Sequence, residues 1–374
     1  MKNPEFDDLR PYRDEEIPVA MRRIVESEYF PLLAAYVYPD RTPEDVKNML
    51  KGYTTIYEFQ SQVMKTFNEQ VIARSTSSFS CSGIEQLDKA QRYLFVSNHR
   101  DIMLDSSLLQ YALHCVGHPT TEITFGSNLM DSPLAIDIGK SNKMFKVIRS
   151  VTAKEFYANS LHLSAYIYHA LQEKHESIWI AQRNGRTKDG IDATDQGIIK
   201  MFHMSRAEHP AKALAKLNIV PVAVSYLWEP CDLLKATELC SLQRTGSYMK
   251  KPGEDLNSIL TGIHQFKGSV HFAVGKPITE ADFMPFGELT GNKFNKQVAL
   301  LIDSRIRQNY RLTCNNYIAC DMLSKTDRYA AHYTDEEKAL FAEHFKKAAA
   351  TATAEDRQLF SNIFLGIYAH PVSC

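Results

Sequence analysis

The residues best placed to do chemistry lie in one short stretch. The apolar run Tyr93-Leu-Phe-Val96 leads through Ser97 and Asn98 to His99, and Asp105 follows after five intervening residues. A histidine at the C-terminal end of a strand in an open α/β sheet sits where such sheets place their ligands. A carboxylate in the first turn of the next helix can fold back on that imidazole, fix its tautomer and stabilise the imidazolium. The other ring nitrogen then removes a proton from an alcohol. If the alcohol belongs to a substrate, no serine or cysteine nucleophile is required. Asp101 is the competing acid, but one intervening residue gives it a poor return angle. With 13 histidines in the chain, a His and an Asp this close carry little weight alone. Neighbouring segments in a definite order supply the rest.

Three such segments follow. Met144-Phe-Lys-Val-Ile-Arg149 is an apolar strand ending in arginine, about fifty residues after His99, with Lys140, Lys143 and Lys146 beside it as a solvated basic face. Ile178-Trp-Ile-Ala181 leads into a polar turn holding Arg183, Asn184, Gly185 and Arg186. Ile219-Val-Pro-Val-Ala-Val224 is a strand interrupted by Pro221, an unusual residue for a central strand.

Taken together, these residues resemble the motifs of the glycerolipid acyltransferase family, the bacterial glycerol-3-phosphate and lysophosphatidate acyltransferases. The resemblance covers residues 79–285. It departs from the family twice. The family's His-x4-Asp is here His-x5-Asp, and one extra residue rotates a helical position by about 100°, so the turn must absorb it as a bulge. The family's Glu-Gly-x-Arg is here Asn184-Gly185-Arg186, without the carboxylate.

The resemblance implies that His99 is the base and Asp105 its partner. It also implies that Asn98, Arg100, Arg149, Arg183, Asn184, Gly185, Arg186 and Pro221 are substrate-binding. Arg149, Arg183 and Arg186 would hold a phosphate or other anionic head group, for which a guanidinium fork suits better than an ammonium. Backbone amides near Gly185 are the candidate oxyanion donors. Acyl-CoA or acyl-carrier protein would supply the acyl group to a lysolipid or glycerol-phosphate hydroxyl, with no cofactor, no metal and no nucleic acid. The expected location is cytoplasmic, peripheral to the inner face of the cell membrane. Three other readings stay open: acylation of a lyso-aminolipid, a non-catalytic lipid-binding scaffold, and, least supported, a metal-dependent hydrolase using His99, Asp101 and Asp105.

The elements that must position these residues follow from periodicity. Strands are expected at Phe79–Gly83, Tyr93–Ser97, Glu122–Phe125, Phe145–Ile148, Ile178–Ala181, Ile219–Leu227 and Val270–Val274. Helices are expected at Leu104–Val116, Ser132–Asp137 and Lys154–Lys174, and from about Gln196. Alternation of this kind predicts an α/β domain over 79–285 with a largely parallel sheet flanked by helices. Residues 1–78 read as a helical region, with Ile17, Met21, Ile24 and Val25 on one face of a helix begun near Pro18. Tyr29, Phe30, Leu32 and Leu33 follow closely enough for membrane docking to be a second use of this region. Residues 286–374 read as helical again, with a capping box at Thr334–Glu337 and a pair that resembles one at Thr353 and Asp356.

Composition narrows the classes. A net charge of −1 excludes a whole-protein field for polyanions. Seven cysteines without a Cys-x-x-Cys suit reduced thiols rather than a disulfide framework or zinc site. Apolar runs reach about ten residues, whereas a membrane span needs about twenty, so contact with lipid is expected from the surface.

Overall fold

The computed structural model describes residues 4–130, 132–148 and 152–373. Seven strands form one sheet: β1 (Ser78–Ser82), β2 (Leu94–Ser97), β3 (Glu122–Gly126), β4 (Met144–Val147), β5 (Ile178–Ala181), β6 (Ile219–Tyr226) and β7 (Ser269–Val274). Their spatial order is β1-β7-β6-β2-β5-β3-β4. Strands β2 to β6 run parallel, β7 is antiparallel to β6, and β1 runs parallel to β7. The sheet is therefore mixed and largely parallel, with each expected strand present to within a residue or so at its ends. Short, nearly continuous apolar runs are the mark of strands covered on both faces.

The two faces have separate cores. Phe95, Trp179, Val220, Val222 and Val224 pack with Ile17, Met21 and Ile24 of the N-terminal helix Ile17–Glu26, and with Leu104 and Leu108. Leu94, Val96, Ile180, Ile219 and Ala223 face Tyr166, Phe202, Phe294, Val298 and Ile302 on the other side. Pro221 pairs with Val96 in the middle of this sheet. Its carbonyl accepts from the Gly275 amide at 2.9 Å, just past the end of β7. The N–H and C=O of a strand residue point the same way, so the donor that proline lacks falls where the ladder has already stopped. That is how a proline is tolerated here.

A third cluster, containing Trp228, Phe341, Phe360, Phe364 and Tyr368, joins α2 (Asp232–Thr245) to the C-terminal helices. Of those helices, α4 (Cys314–Ser324) and α5 (Arg357–Ser373) recur below, as do α1 (Leu104–Cys115), which follows the His99 turn, and α3 (Glu254–His264). The capping box at Thr334 forms as read, the Glu337 amide donating to Thr334 Oγ1 at 3.2 Å, whereas the Asp356 amide donates to Thr353 Oγ1 at 3.1 Å in the turn that precedes the last helix.

Candidate active site

The C-terminal ends of β2, β5 and β6 meet at His99. His99 Nδ1 and Asp105 Oδ2 are 2.8 Å apart. A carboxylate can only accept here, so Nδ1 carries the proton and Nε2 is left as the basic nitrogen. No hydroxyl or thiol of the described residues is hydrogen-bonded to Nε2. The edge of the imidazole meets the Trp179 ring at 5.4 Å between centroids, which limits the orientations it can take.

The extra residue between base and acid is absorbed in the turn 100–103. Asp101 Oδ1 accepts from the Met103 and Leu104 amides at 2.9 and 2.8 Å, which caps the start of α1. Asp105, in the first turn of α1, points back across this bulge. Its Oδ2 accepts from the Arg100 and Asp101 amides at 2.5 and 2.9 Å besides His99. Its Oδ1 accepts from the Tyr226 phenol at 2.6 Å. Asp105 is fully buried, with both carboxylate oxygens hydrogen-bonded. The turn thus brings Asp105 to His99, while Asp101 serves as a helix cap. Burial, and then the charge of Asp105, raise the Asp101 carboxyl above its usual range. Its Oδ2 has no hydrogen-bond partner.

The remaining expected contacts divide. Asn98 uses its amide on the backbone of β6, accepting from the Val224 amide at 2.8 Å and donating to the Val224 carbonyl at 3.0 Å. Arg100 is 1% exposed, with its guanidinium bound to Asp192 at 2.7 Å and Glu229 at 3.1 Å. Lys235 completes that group, donating to Glu229 at 2.6 Å and to the Arg100 carbonyl at 2.7 Å. Asn98 and Arg100, expected to bind substrate, are thus engaged within the protein, the Arg100 Nε alone being buried without a partner. Pro221 is likewise inside the sheet, about 16 Å of strand before the end of β6 at Tyr226.

The turn after β5 is anchored to the dyad. The Thr187 amide donates to the His99 carbonyl at 2.6 Å, and Thr187 Oγ1 donates to Asp192 at 2.8 Å. Asn184 and Gly185 are exposed, and Gly185 has φ +72° with open space around it. Arg186 Nη2 donates to Ser258 Oγ of α3 at 3.0 Å, while its Nη1 is buried without a partner. Arg183 is part-exposed and makes one long bond to the Ile191 carbonyl at 3.4 Å. Arg183 and Arg186 therefore keep hydrogen-bonding capacity at this edge of the sheet. Arg149 lies outside the described residues. Lys143 pairs with Glu176 at 2.9 Å, and Lys140 lies 5.6 Å from the Tyr12 ring centre, both on the far side of the sheet.

A cavity of about 760 Å³ opens at that opposite edge, lined by Phe6, Arg10, Tyr12, His118, Glu122 and Lys174 among others. Its Lys174 pairs with Glu122 and its Arg10 with Glu16, so its charges are matched internally. Among the described residues, no group of three or more His, Cys, Asp or Glu side chains is arranged to hold a metal ion. No described helix is long and apolar enough to cross a membrane.

Motif reading misses Tyr226, Asp192, Glu229, Lys235, Thr187 and Trp179. Trp179 falls inside the strand Ile178–Ala181, Thr187 directly follows the turn that holds Arg186, and Tyr226 ends the strand that contains Pro221. Glu229 and Lys235 carry no local signal.

No protein-family model matches the chain, and a comparison with curated proteins gives no match. Among solved structures, the chain is similar to the 1-acyl-sn-glycerophosphate (LPA) acyltransferase PlsC from Thermotoga maritima. The identity is 14% over 77% of this chain and 94% of that one, with a TM-score of 0.35.

Proposed function

We propose that the chain is an O-acyltransferase, moving a fatty acyl group from acyl-CoA or acyl-carrier protein to a hydroxyl of a lysophospholipid or glycerol-phosphate acceptor. The observation that carries this reading is the His99–Asp105 pair, with Nε2 free of any hydroxyl or thiol of the described residues. An imidazole held by a buried carboxylate, with no nucleophile of its own to activate, is equipped to deprotonate a hydroxyl brought by a substrate. The alkoxide oxygen attacks the thioester carbonyl. The C–S bond then breaks and the proton on His99 leaves with the thiol. Holding the alcohol beside the base supplies much of the rate. Arg183 and Arg186 would meet the acceptor's anionic group, and the protein would work at the membrane surface.

Purified protein incubated with labelled acyl donor and a panel of lysolipids tests this. Transfer to one of them is expected, and His99→Ala is expected to lower it by about a hundredfold or more. Transfer by the His99→Ala protein at close to the parental rate would sink the mechanism. The exposed Asn184, where the resembling family has a carboxylate, favours a second acceptor class, the lyso-aminolipids. The same panel separates the two.

A further inference from the structure

Asp105 is gripped from two sides. Its Oδ2 meets His99 and two backbone amides, and its Oδ1 meets one donor among the described residues, the phenol of Tyr226 at 2.6 Å. Both side chains are buried, at 0% and 2% exposure. Burial, followed by the charges of Asp105 and Asp101, holds the Tyr226 phenol well above its ordinary range, so it remains a donor. Tyr226 is the last residue of β6, and β6 lies beside β2, which delivers His99.

We propose that Tyr226 is a positioning residue that acts through Asp105, fixing the His99–Asp105 geometry and setting the pH at which His99 accepts a proton. The inference rests on the reading of His99 as the base.

A carboxylate divides its charge among its donors. A short bond to Tyr226 draws charge toward Oδ1 and away from His99, so the imidazolium is less stabilised and His99 remains an available base to lower pH. Without the phenol, Asp105 gives more of its charge to His99, which then stays protonated to higher pH. The bonds that the other charged groups around the pair make go elsewhere. Arg100 is held by Asp192 and Glu229, and Lys235 by Glu229. Arg186 donates to Ser258, and Lys267 donates to Ser75 and the Gln265 carbonyl. Asp101 caps α1. None of them touches Oδ1.

The test compares the full-length parent with Tyr226→Phe, and with protein carrying 3-fluorotyrosine at position 226, whose phenol is the stronger donor. For Tyr226→Phe, kcat should fall about tenfold with KM within about twofold, and the acid limb of the rate profile should move to higher pH. The fluorinated side chain keeps the volume and the donor, so it covers the case in which Tyr226→Phe fails to fold, and it should move the limb to lower pH. The His99 ring titration, followed by NMR without substrate, should move in the same two directions. Limbs and ring titrations that coincide across the three proteins would overturn the proposal. Ring titrations that move while even the parent transfers no acyl group would retain the coupling and reject the acyltransferase reading instead.

Discussion

Asp101 and Asp105 sit four positions apart in one turn, and their surroundings give them opposite relations to charge. Asp105 is surrounded by donors, whereas Asp101 has one capping oxygen and one orphan against α3. A carboxyl whose folded-state pKa is raised holds its proton more tightly when folded. Its ionisation therefore costs stability, progressively, as pH rises from its unfolded value through the raised one. Asn keeps the capping oxygen and removes the charge. Asp101→Asn is thus expected to melt higher than the parent at pH 7, with the gain shrinking toward pH 4, in thermal scans across that range. For Asp105→Asn the expectation rests on its contacts. An amide in place of the carboxylate cannot accept from all of its present donors and loses the charge that holds the His99 tautomer. Acyl transfer should fall by about a hundredfold or more, with a lower melting temperature. A dead Asp101→Asn beside an active Asp105→Asn would give the partner role to Asp101.

At the scale of elements, the site depends on how closely α3 and α5 approach it, and two glycines permit this. A Cβ on Gly262 of α3 would lie 2.1 Å from Asp101 Oδ2, and one on Gly190 would lie 2.3 Å from the Ile367 carbonyl of α5. The first contact is with a side chain fixed by its capping bonds. The second is with helix backbone, at a residue whose φ is +81°, where a side chain is strained in any case. Gly262→Ala is expected to cost about 1–3 kcal/mol in denaturant unfolding and to lower acyl transfer by disturbing the His99 turn. Unchanged stability and rate would show that α3 can shift without consequence.

Element order was largely legible in the sequence, because apolar runs bounded by polar turns mark buried strands whatever they pair with. The reversal of β7 and β1 was not, since strand direction depends on how a connection crosses the sheet. For the site, His99 and Asp105 could be found because their contact is local. Arg100 could not be separated from the arginines that keep hydrogen-bonding capacity, because its burial depends on Asp192 and Glu229, far along the chain. Arg183 and Arg186 read as motif residues and remain at the site's edge, because the turn that carries them is also local.

At the scale of the whole molecule, the C-terminal helices hold the site from behind. Tyr368 of α5 donates to Asp232 at 2.6 Å and accepts from the Glu229 amide at 3.2 Å. Its carbonyl accepts from Asn316 of α4 at 2.8 Å. Asp232 also meets His344 at 2.6 Å, so helices distant in sequence converge on the start of α2. From there the chain of contacts is short: Glu229 holds Arg100, and Arg100 is the neighbour of His99. His370 of α5 adds a bond to the Asp189 carbonyl, in the same loop as Arg186, at 2.5 Å. Removing the phenolic oxygen alone leaves the Glu229 amide short of a partner, which costs about 1–3 kcal/mol where no water replaces it, while Asp232 Oδ2 keeps His344. Tyr368→Phe is therefore expected to lower stability and to loosen the loop from Arg183 to Asp192 before the sheet itself opens. Native-state hydrogen exchange checks the order of events: amides of that loop, Thr187 included, should exchange faster in the variant while those of β2 and β6 keep their protection. Equal acceleration in loop and sheet would mean that the C-terminal helices stabilise the fold as a whole and have no particular hold on the site.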